Sequence, residues 1–287
     1  MNWNNGKRPG VFCESAFPLQ TARNSAPNGR GLCRIDAVAQ AWAVISQAAS
    51  PDRAQRAMDA VERFLISEAD GIIRLLAPPF DRTPKDPGYI KGYVPGVREN
   101  GGQYTPAALW VVQAMAGLGC RERALALLEM LNPIHHARDP EAVARYKVEP
   151  YVITADVYGV QPHIGRGGWT WYTGSAGWML RVALESVLGL KIEAGQWLKL
   201  RPRIPDHWPG FSLHYRIGKT QYAIRVRNPA GHAERVVAVT MDGTQTPIED
   251  GWACIALLRD GKVHEVEVTL GPPGPQCSGL PPRRGNI

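Results

Sequence analysis

The sequence predicts an α+β protein of more than one domain, with a partial α/α toroid of helical hairpins followed by a small antiparallel β-sandwich. Apolar residues recur at three- and four-residue steps as far as Leu188, which is typical of helices that bury one face. From Gly189 onward they alternate with polar residues, which is typical of strands. Long loops alternate with short ones in the helical part, and this favours a toroid, whose long loops gather over one end.

The helical part is predicted to occupy residues 33–188, after an irregular segment, 1–32, that is rich in Asn, Gly and Pro. A Ser or Thr followed by Pro is a favourable helix start, because the hydroxyl can cap the helix and Pro fits its first turn. Helices are predicted from near Arg34, with Ile35, Val38, Trp42 and Ile45 on the buried face, from Ser50-Pro51, from Thr105-Pro106, around Ala124, over Pro140–Arg145 and over Ser175–Leu188. Two long irregular segments, Asp70–Gln103 and Glu149–Thr173, interrupt them, and loops of this length are often functional.

The β-sandwich is predicted to occupy residues 189–270. Its strands are expected at Trp197–Leu200, Phe211–Ile217, Gln221–Arg227, Val236–Thr240, Trp252–Leu257 and Val266–Leu270. Asp242-Gly243, Asp250-Gly251 and Asp260-Gly261 are hairpin turn signals. The Pro/Gly-rich tail, 271–287, is predicted to be disordered.

Composition excludes several classes of protein. The net charge of +7 is spread along the chain without a Lys/Arg run, so we expect no nucleic-acid binding. No apolar run reaches about 18 residues, so no membrane-spanning segment is expected in this chain. The amino terminus lacks the apolar run of a secretory signal, which predicts a cytoplasmic protein. The five cysteines are far apart, which argues against a disulfide framework or a zinc site.

Both long loops combine glycine with Tyr, Trp, Arg and acidic residues. Sugar sites use these residue types, because aromatic faces pack on the apolar side of a pyranose while charged groups bind its hydroxyls. The alternative is that Trp169, Trp171 and Trp178 are core residues and that the glycines only permit tight turns.

Four runs of sequence resemble glycoside hydrolase family 94: CRIDAVAQAWAV from Cys33, DPGYIKGYVPGVRENGGQYT from Asp86, RYKVEPYV from Arg145 and GRGGWTWYTGSAGWM from Gly165. They are most similar to the phosphorylase-like domain at the end of cyclic β-1,2-glucan synthases. The resemblance implies an (α/α)6 barrel, of which this chain would hold about half, and a β-sandwich after it. It also implies inverting phosphorolysis of β-glucosidic bonds, or its reverse, with inorganic phosphate as co-substrate and no other cofactor.

The resemblance also implies which residues bind the sugar. The acceptor side would be lined by Tyr93, Arg98 and Glu99, with Gln103 and Tyr104 beside them. Glu149 occupies the position that contacts the glucosyl residue being transferred. A salt bridge between Glu99 and Arg98 is the structural alternative for that carboxylate.

The phosphate site and the general acid are only partly matched. Thr173 and Gly174 correspond to the family's phosphate-binding Thr-Gly, at the start of a helix. A second phosphate ligand of the family, a His, corresponds to Pro106, which cannot donate a hydrogen bond. The family's general acid is an Asp in a Trp-Asn-Asp type motif, and Trp3-Asn4-Asn5 is only superficially similar. We therefore assign no catalytic residue and no metal ligand, and we expect weak activity or none from the chain alone.

These observations lead to one main hypothesis and two alternatives. The main hypothesis is the carboxy-terminal part of a carbohydrate-active phosphorylase or glycosyltransferase that acts on β-glucan oligosaccharides, β-1,2-glucan foremost. A non-catalytic β-glucan-binding or assembly module is the first alternative, and an inactive remnant is the second. A separately encoded amino-terminal half or a second copy of the chain would be its protein partner. In a synthase complex it would lie at the cytoplasmic face of the inner membrane.

Overall fold

A computed structural model describes residues 33–81 and 86–272, which form two compact units divided between Ala183 and Leu184. The irregular segment predicted for 1–32 lies outside the described residues, as does the predicted tail after residue 272. Within the described ranges, no helix combines the length and the apolar character that crossing a bilayer requires.

The first unit is built mainly from α-helices, with short strands between them. The helices in its described residues are α1 (Ala37–Ile45), α2 (Pro51–Phe64), α3 (Thr105–Gly117), α4 (Arg121–Met130), α5 (Pro140–Tyr146) and α6 (Thr173–Arg181), with a π-helical turn, Val182–Val187, directly after α6. The strands are β1 (Ile35–Asp36), β2 (Ile66–Ser67), β3 (Ile72–Ile73), β4 (Leu76–Ala77), β5 (Gln103–Tyr104) and β6 (Asp156–Val157). Two 3-10 helices span Gly88–Gly92 and His135–Ala137.

Helix α3 is the centre of the helical core. It packs against α1, α4 and α6, and most of its residues are buried. Several of those residues are alanines, whose small side chains let neighbouring helices approach closely: Ala107, Ala108, Ala114 and Ala116. A helix that is apolar all round belongs in the interior, and α3 fits this description.

The first helix begins later than its apolar periodicity predicts. The Arg34 N–H donates to Ala77 O (2.9 Å), which keeps the chain extended until Asp36. The Asp36 side chain then caps α1 by accepting from the Ala39 N–H (2.9 Å), so its role is structural. The predicted buried face is also wrong at Trp42, which is 40% exposed and contacts Trp110 edge to face.

Other helix starts agree with their sequence signals to different degrees. Pro140 begins α5 after Asp139, whose carboxylate accepts from the Ala142 N–H (2.8 Å). Pro51 begins α2 as predicted, but the Ser50 side chain makes no capping hydrogen bond. Proline suits the first turn, because the N–H that it lacks would have no partner within the helix in any case.

The described residues of the second unit form two β-sheets. Its strands are β7 (Leu190–Glu193), β8 (Trp197–Leu200), β9 (Gly210–Ile217), β10 (Thr220–Arg227), β11 (Arg235–Met241), β12 (Thr244–Gln245), β13 (Ile248–Glu249), β14 (Trp252–Ala256) and β15 (Val263–Gly271). One sheet has the order β12-β11-β15-β10-β9 and the other has the order β13-β14-β8-β7. Alternate residues of both sheets, such as Leu198, Ile224, Ile255 and Val268, form a single apolar core.

The prediction that the strands are all antiparallel is wrong at one pair. Strand β15 lies between β11 and β10 and runs parallel to β10, with Ile224 opposite Val266. The preceding strand, β14, belongs to the other sheet, so no hairpin forces β15 to reverse direction beside its neighbour. The Asp260-Gly261 pair lies in this crossover and does not close a hairpin, in contrast to the other two Asp-Gly turns.

A histidine joins two of these turns. His264 is 5% exposed, and its ring stacks on Tyr222 with centroids 5.3 Å apart. Its Nδ1 lies 2.6 Å from Asp242 Oδ2 and its Nε2 lies 3.2 Å from Asp260 Oδ1. The Asp242 hydrogen bond, and after it that of Asp260, outweighs burial and raises the pKa of His264. In its charged form the ring donates to both carboxylates and ties the β11–β12 turn to the β14–β15 crossover.

We expect this contact to make the stability of the second unit depend on pH. Because the folded-state pKa of His264 is raised, its contribution is complete below the ordinary value of 6.5 and is lost as pH rises through the folded value. Chemical denaturation of the full chain across that range should show a decline that His264→Gln removes. The same replacement of His214, which is exposed on β9, is the control and should leave the decline intact. A decline of equal size in His264→Gln would contradict the assignment.

Candidate functional site

The two long loops of the first unit meet at a short strand pair. Strand β5 pairs with β6, so Gln103 lies opposite Val157 and Tyr104 lies opposite Asp156. The Gly159 N–H donates to Gly96 O (2.7 Å), which ties the loops together a second time. Both loops carry residues that the sequence predicts to bind sugar, and this pairing brings the two loops together.

The first loop is shaped by a buried asparagine. The Asn100 side chain accepts from the Phe80 N–H (2.7 Å) and donates to Phe80 O (2.7 Å) and Tyr93 O (2.9 Å). It is fully buried, so these hydrogen bonds hold the turn that carries Arg98 and Glu99. Asn100 was not among the residues predicted from the sequence. Its position in the GVRENGG run, between Glu99 and two glycines, is the signal that could have identified it.

Arg98 is the cation of this surface. Its φ is +47°, an uncommon conformation for a residue with a side chain. Its guanidinium carbon lies 5.0 Å from the centre of the Trp169 ring and 5.7 Å from that of Tyr93. The Tyr93 contact, and less strongly the charge of Asp156, raises the pKa of Arg98. A guanidinium packed on aromatic rings forms a flat wall. Its rings can contact the apolar face of a sugar and its N–H groups can bind the hydroxyls.

Asp156 is the residue of this surface that sequence analysis missed. Its side chain is 1% exposed, and its Oδ1 accepts from the Trp169 N–H (3.0 Å) and lies 3.9 Å from Arg98 Nε. Burial is the largest influence on its carboxyl group and raises its pKa. The ion pair of Arg98 in the structure is therefore with Asp156, where the sequence suggested Glu99. No motif identified Asp156, because its partners lie 13 or more positions away in the chain.

Glu99 and Tyr104 lie close to this pair. The Glu99 Oε2 atom is buried without a hydrogen-bond partner in the described structure. Its negative charge raises the pKa of Asp156 and contributes to the raised pKa of Tyr104, for which burial is the largest cause. The Tyr104 hydroxyl lies 3.3 Å from that of Tyr172. Polar groups of both loops thus converge beside the Arg98 wall.

Glu149 organises an aromatic group on the second loop. Its carboxylate accepts from the Thr170 hydroxyl (3.0 Å) and from the Trp171 indole N–H (3.2 Å). Its own backbone amide, and then these two donors, lower the pKa of Glu149. Trp171 is 64% exposed and Tyr151, edge to face with it, is 74% exposed. Trp169 is 58% exposed, so neither Trp169 nor Trp171 is a core residue, whereas Trp178 packs against the helical core.

The remaining predicted positions differ in how accessible they are to a ligand. The Gln103 side chain is 1% exposed and accepts from the Ile73 N–H (3.1 Å), which directs it away from any ligand on the surface. Thr173 and Gly174 are exposed in the first turn of α6, where backbone N–H groups lack helical partners. Pro106 is buried in the first turn of α3 and offers no polar group.

The histidines of the first unit are not among the predicted sugar or phosphate residues. His136 stacks on Tyr146 with ring centroids 4.7 Å apart, and burial lowers its pKa. Together with His135 and Asp70 it lines a cavity of about 170 Å³ that contains none of the predicted sugar or phosphate residues. His163 is exposed and lies beside Tyr158.

The fit between Gly168 and Asp156 yields a direct test of this geometry. A Cβ at Gly168 would lie 2.4 Å from both carboxylate oxygens of Asp156, so Gly168→Ala must displace them. We expect the free energy of unfolding to fall by about 1–3 kcal/mol, measured by chemical denaturation. Gly177→Ala is the control, because a Cβ there meets nothing within 4 Å and alanine favours the helix. Equal losses in the two variants would show that Gly168 is not sterically constrained.

Comparison with known proteins identifies the family. Residues 25–189 match the family model of the glycosyl hydrolase 94 superfamily, catalytic domain. The chain is 47% identical over 229 residues to the cyclic beta-(1,2)-glucan synthase NdvB of Rhizobium meliloti (strain 1021), a match that covers 80% of this chain and 8% of that protein. It is 31% identical over 241 residues to the N,N'-diacetylchitobiose phosphorylase of Vibrio proteolyticus, covering 83% of this chain and 28% of the relative.

A third relative extends the range of substrates. The solabiose phosphorylase of Paenibacillus borealis is 28% identical over 232 residues, which cover 80% of this chain and 29% of the enzyme. The chain therefore spans less than a third of the length of each of these three relatives. The family model covers more than half of the chain, and the chain belongs to the glycosyl hydrolase 94 superfamily.

Proposed function

We propose that this chain forms the saccharide-binding and phosphate-binding side of an inverting glycoside phosphorylase that acts on β-glucan. The observation that carries the proposal is the wall made by Arg98, Trp169 and Tyr93, on two paired loops that also carry the carboxylates of Glu99 and Glu149. Exposed aromatic rings fixed by hydrogen bonds suit the apolar faces of a pyranose. The adjacent charged groups suit its hydroxyls.

The relatives favour a β-1,2-glucan as the saccharide. One of them is a synthase of cyclic beta-(1,2)-glucan, and it shares 47% of aligned residues with this chain. The others are phosphorylases of different disaccharides, so the reaction type is more general than the linkage. We therefore propose phosphorolysis or its reverse as the chemistry and the β-1,2 linkage as the specificity.

In the proposed reaction, inorganic phosphate is a co-substrate. A phosphate oxygen attacks the anomeric carbon, the glycosidic C–O bond breaks, and its electron pair passes to the leaving oxygen, which takes a proton from a carboxylic acid. The products are a sugar 1-phosphate of inverted configuration and a shortened saccharide. Thr173 and the first N–H groups of α6 would hold the phosphate, since a helix amino terminus favours an anion.

The proton donor is assigned to a partner. Every residue that we assign to saccharide or phosphate has a binding role, and the resemblance to the family gives none of them the role of the acid. We propose that the first unit is about half of an (α/α)6 toroid and that the second unit is a β-sandwich. We also propose that a separate amino-terminal half supplies the acid. The cytoplasmic location stays a prediction from the sequence.

The binding proposal is tested with β-1,2-linked glucobiose. Titration calorimetry should detect binding to the chain, and Arg98→Ala should weaken it by about 10- to 100-fold, because hydrogen bonds from a charged group are lost. Arg56→Ala is the matched control on the exposed face of α2 and should bind as the unaltered chain does. Equal affinity of Arg98→Ala and the unaltered chain would exclude this wall as the binding site.

The chemical proposal is tested by phosphate-dependent release of glucose 1-phosphate from the same disaccharide. We expect the chain alone to be slower than a complete phosphorylase by about 100- to 10,000-fold, which is the usual contribution of a general acid. Rapid release by the purified chain would contradict the assignment of the acid to a partner. Binding without release would favour the non-catalytic module, and absence of both would favour the inactive remnant.

A further inference from the structure

Asp156 is a buried carboxylate that none of the proposed chemical steps uses. It lies on β6, directly opposite Tyr104 of β5, beneath the surface that carries Arg98 and Trp169. Its Oδ1 accepts from the Trp169 N–H and the Arg98 backbone amide also faces the carboxyl group, but its Oδ2 is buried without a hydrogen bond of ordinary geometry among the described residues. A buried carboxylate with an unsatisfied oxygen is costly, so its presence requires an explanation.

The surroundings of Asp156 are built around its carboxyl group. The Gly168 backbone lies so close that no side chain fits there, and its N–H donates to Asp156 O (2.8 Å). The charged groups that act on the carboxyl are Arg98 and Glu99, and Tyr104 is its backbone partner across the strand pair. Of these, only Arg98 is a cation, and its Nε lies 3.9 Å from Oδ1. The Asp156 carboxylate therefore contacts the Trp169 backbone on one side and Arg98 on the other, and it links these two residues of the wall.

Stability alone does not account for this arrangement. A buried ion pair is weak evidence for stability, because the free-energy cost of taking its charges out of water can exceed their mutual attraction. Burial, and less strongly the charge of Glu99, raises the pKa of Asp156, while the Trp169 amide and Arg98 lower it. A carboxyl group whose pKa is shifted by burial and by a specific charged partner, beside a candidate binding surface, is a candidate for a functional role.

We propose that Asp156 is a positioning residue of the saccharide site, whose carboxylate holds the Trp169 backbone and the Arg98 guanidinium together so that both present one binding wall. The inference rests on the proposed function for its ligand. The positioning role can also be tested in the chain without ligand, so the positioning role and the proposed function can fail separately.

The ligand-free test uses Asp156→Asn, which keeps an oxygen to accept from the Trp169 N–H but removes the charge that faces Arg98. The Trp169 amide resonance of the unaltered chain should titrate with the carboxyl group as pH falls, and this titration should disappear in the variant. The Arg98 Nε–H resonance should shift in the variant, and its thermal midpoint should be unchanged or higher. A lower midpoint with no change at Arg98 would indicate a structural role and overturn the proposal.

The test with ligand is a double-mutant cycle with β-1,2-linked glucobiose. Asp156→Asn should weaken binding by about 5- to 30-fold, the factor that corresponds to one interaction of moderate strength. In the Arg98→Ala background it should change binding by less than about twofold, because the residue acts through Arg98. The affinity of the unaltered chain should fall more between neutral and acid pH than that of Asp156→Asn, because the Glu99 and Glu149 carboxylates are present in both. Equal and additive losses in both backgrounds would overturn the proposal.

The two tests separate this inference from the proposed function. If the unaltered chain binds no β-linked disaccharide but the Trp169 and Arg98 resonances respond as expected, the positioning role stands and the proposed function fails. If the disaccharide binds and Asp156→Asn binds it equally well at every pH, the proposed function stands and the positioning role fails.

Discussion

The pairing of β5 with β6 determines where the residues of the candidate site lie. Each strand has only two residues, but they belong to two loops that are separated by helices α3, α4 and α5. Because successive side chains in a strand point to opposite faces, the pair places the Gln103 amide in the interior and Tyr104 toward Tyr172. The pair thereby brings together the two loops that carry Arg98 and Trp169.

The same pairing brings a buried carboxylate under the binding surface. Asp156 can accept from the Trp169 amide and face Arg98 only because Gly168 leaves room for its oxygens. The surface therefore combines a costly buried charge with exposed aromatic rings, and both features suit binding better than stability. Asn100 has a comparable role in the first loop, where neutral hydrogen bonds hold the turn at lower cost.

Local sequence signals predicted much of the fold. Periodicity located the helices from α2 to α5, and alternation located the long strands of the second unit, because each depends on neighbours in the chain. The late start of α1 and the parallel pairing of β15 with β10 depend on partners far away in sequence, Ala77 and Gln221 among them. Resemblance to the family named Arg98, Glu99 and Glu149, but it could not reveal the contact between Arg98 and Asp156.

In the proposed function, saccharide binds to the wall formed by the paired loops. The most direct measurement is a titration of β-1,2-linked glucobiose into ¹⁵N-labelled chain, followed by the indole N–H resonances of its tryptophans. The indole resonances of Trp169 and Trp171 should shift with ligand, while those of Trp42 and Trp178, which lie on helices α1 and α6, should not. Shifts at Trp42 or Trp178 with none at Trp169 or Trp171 would contradict the proposed function.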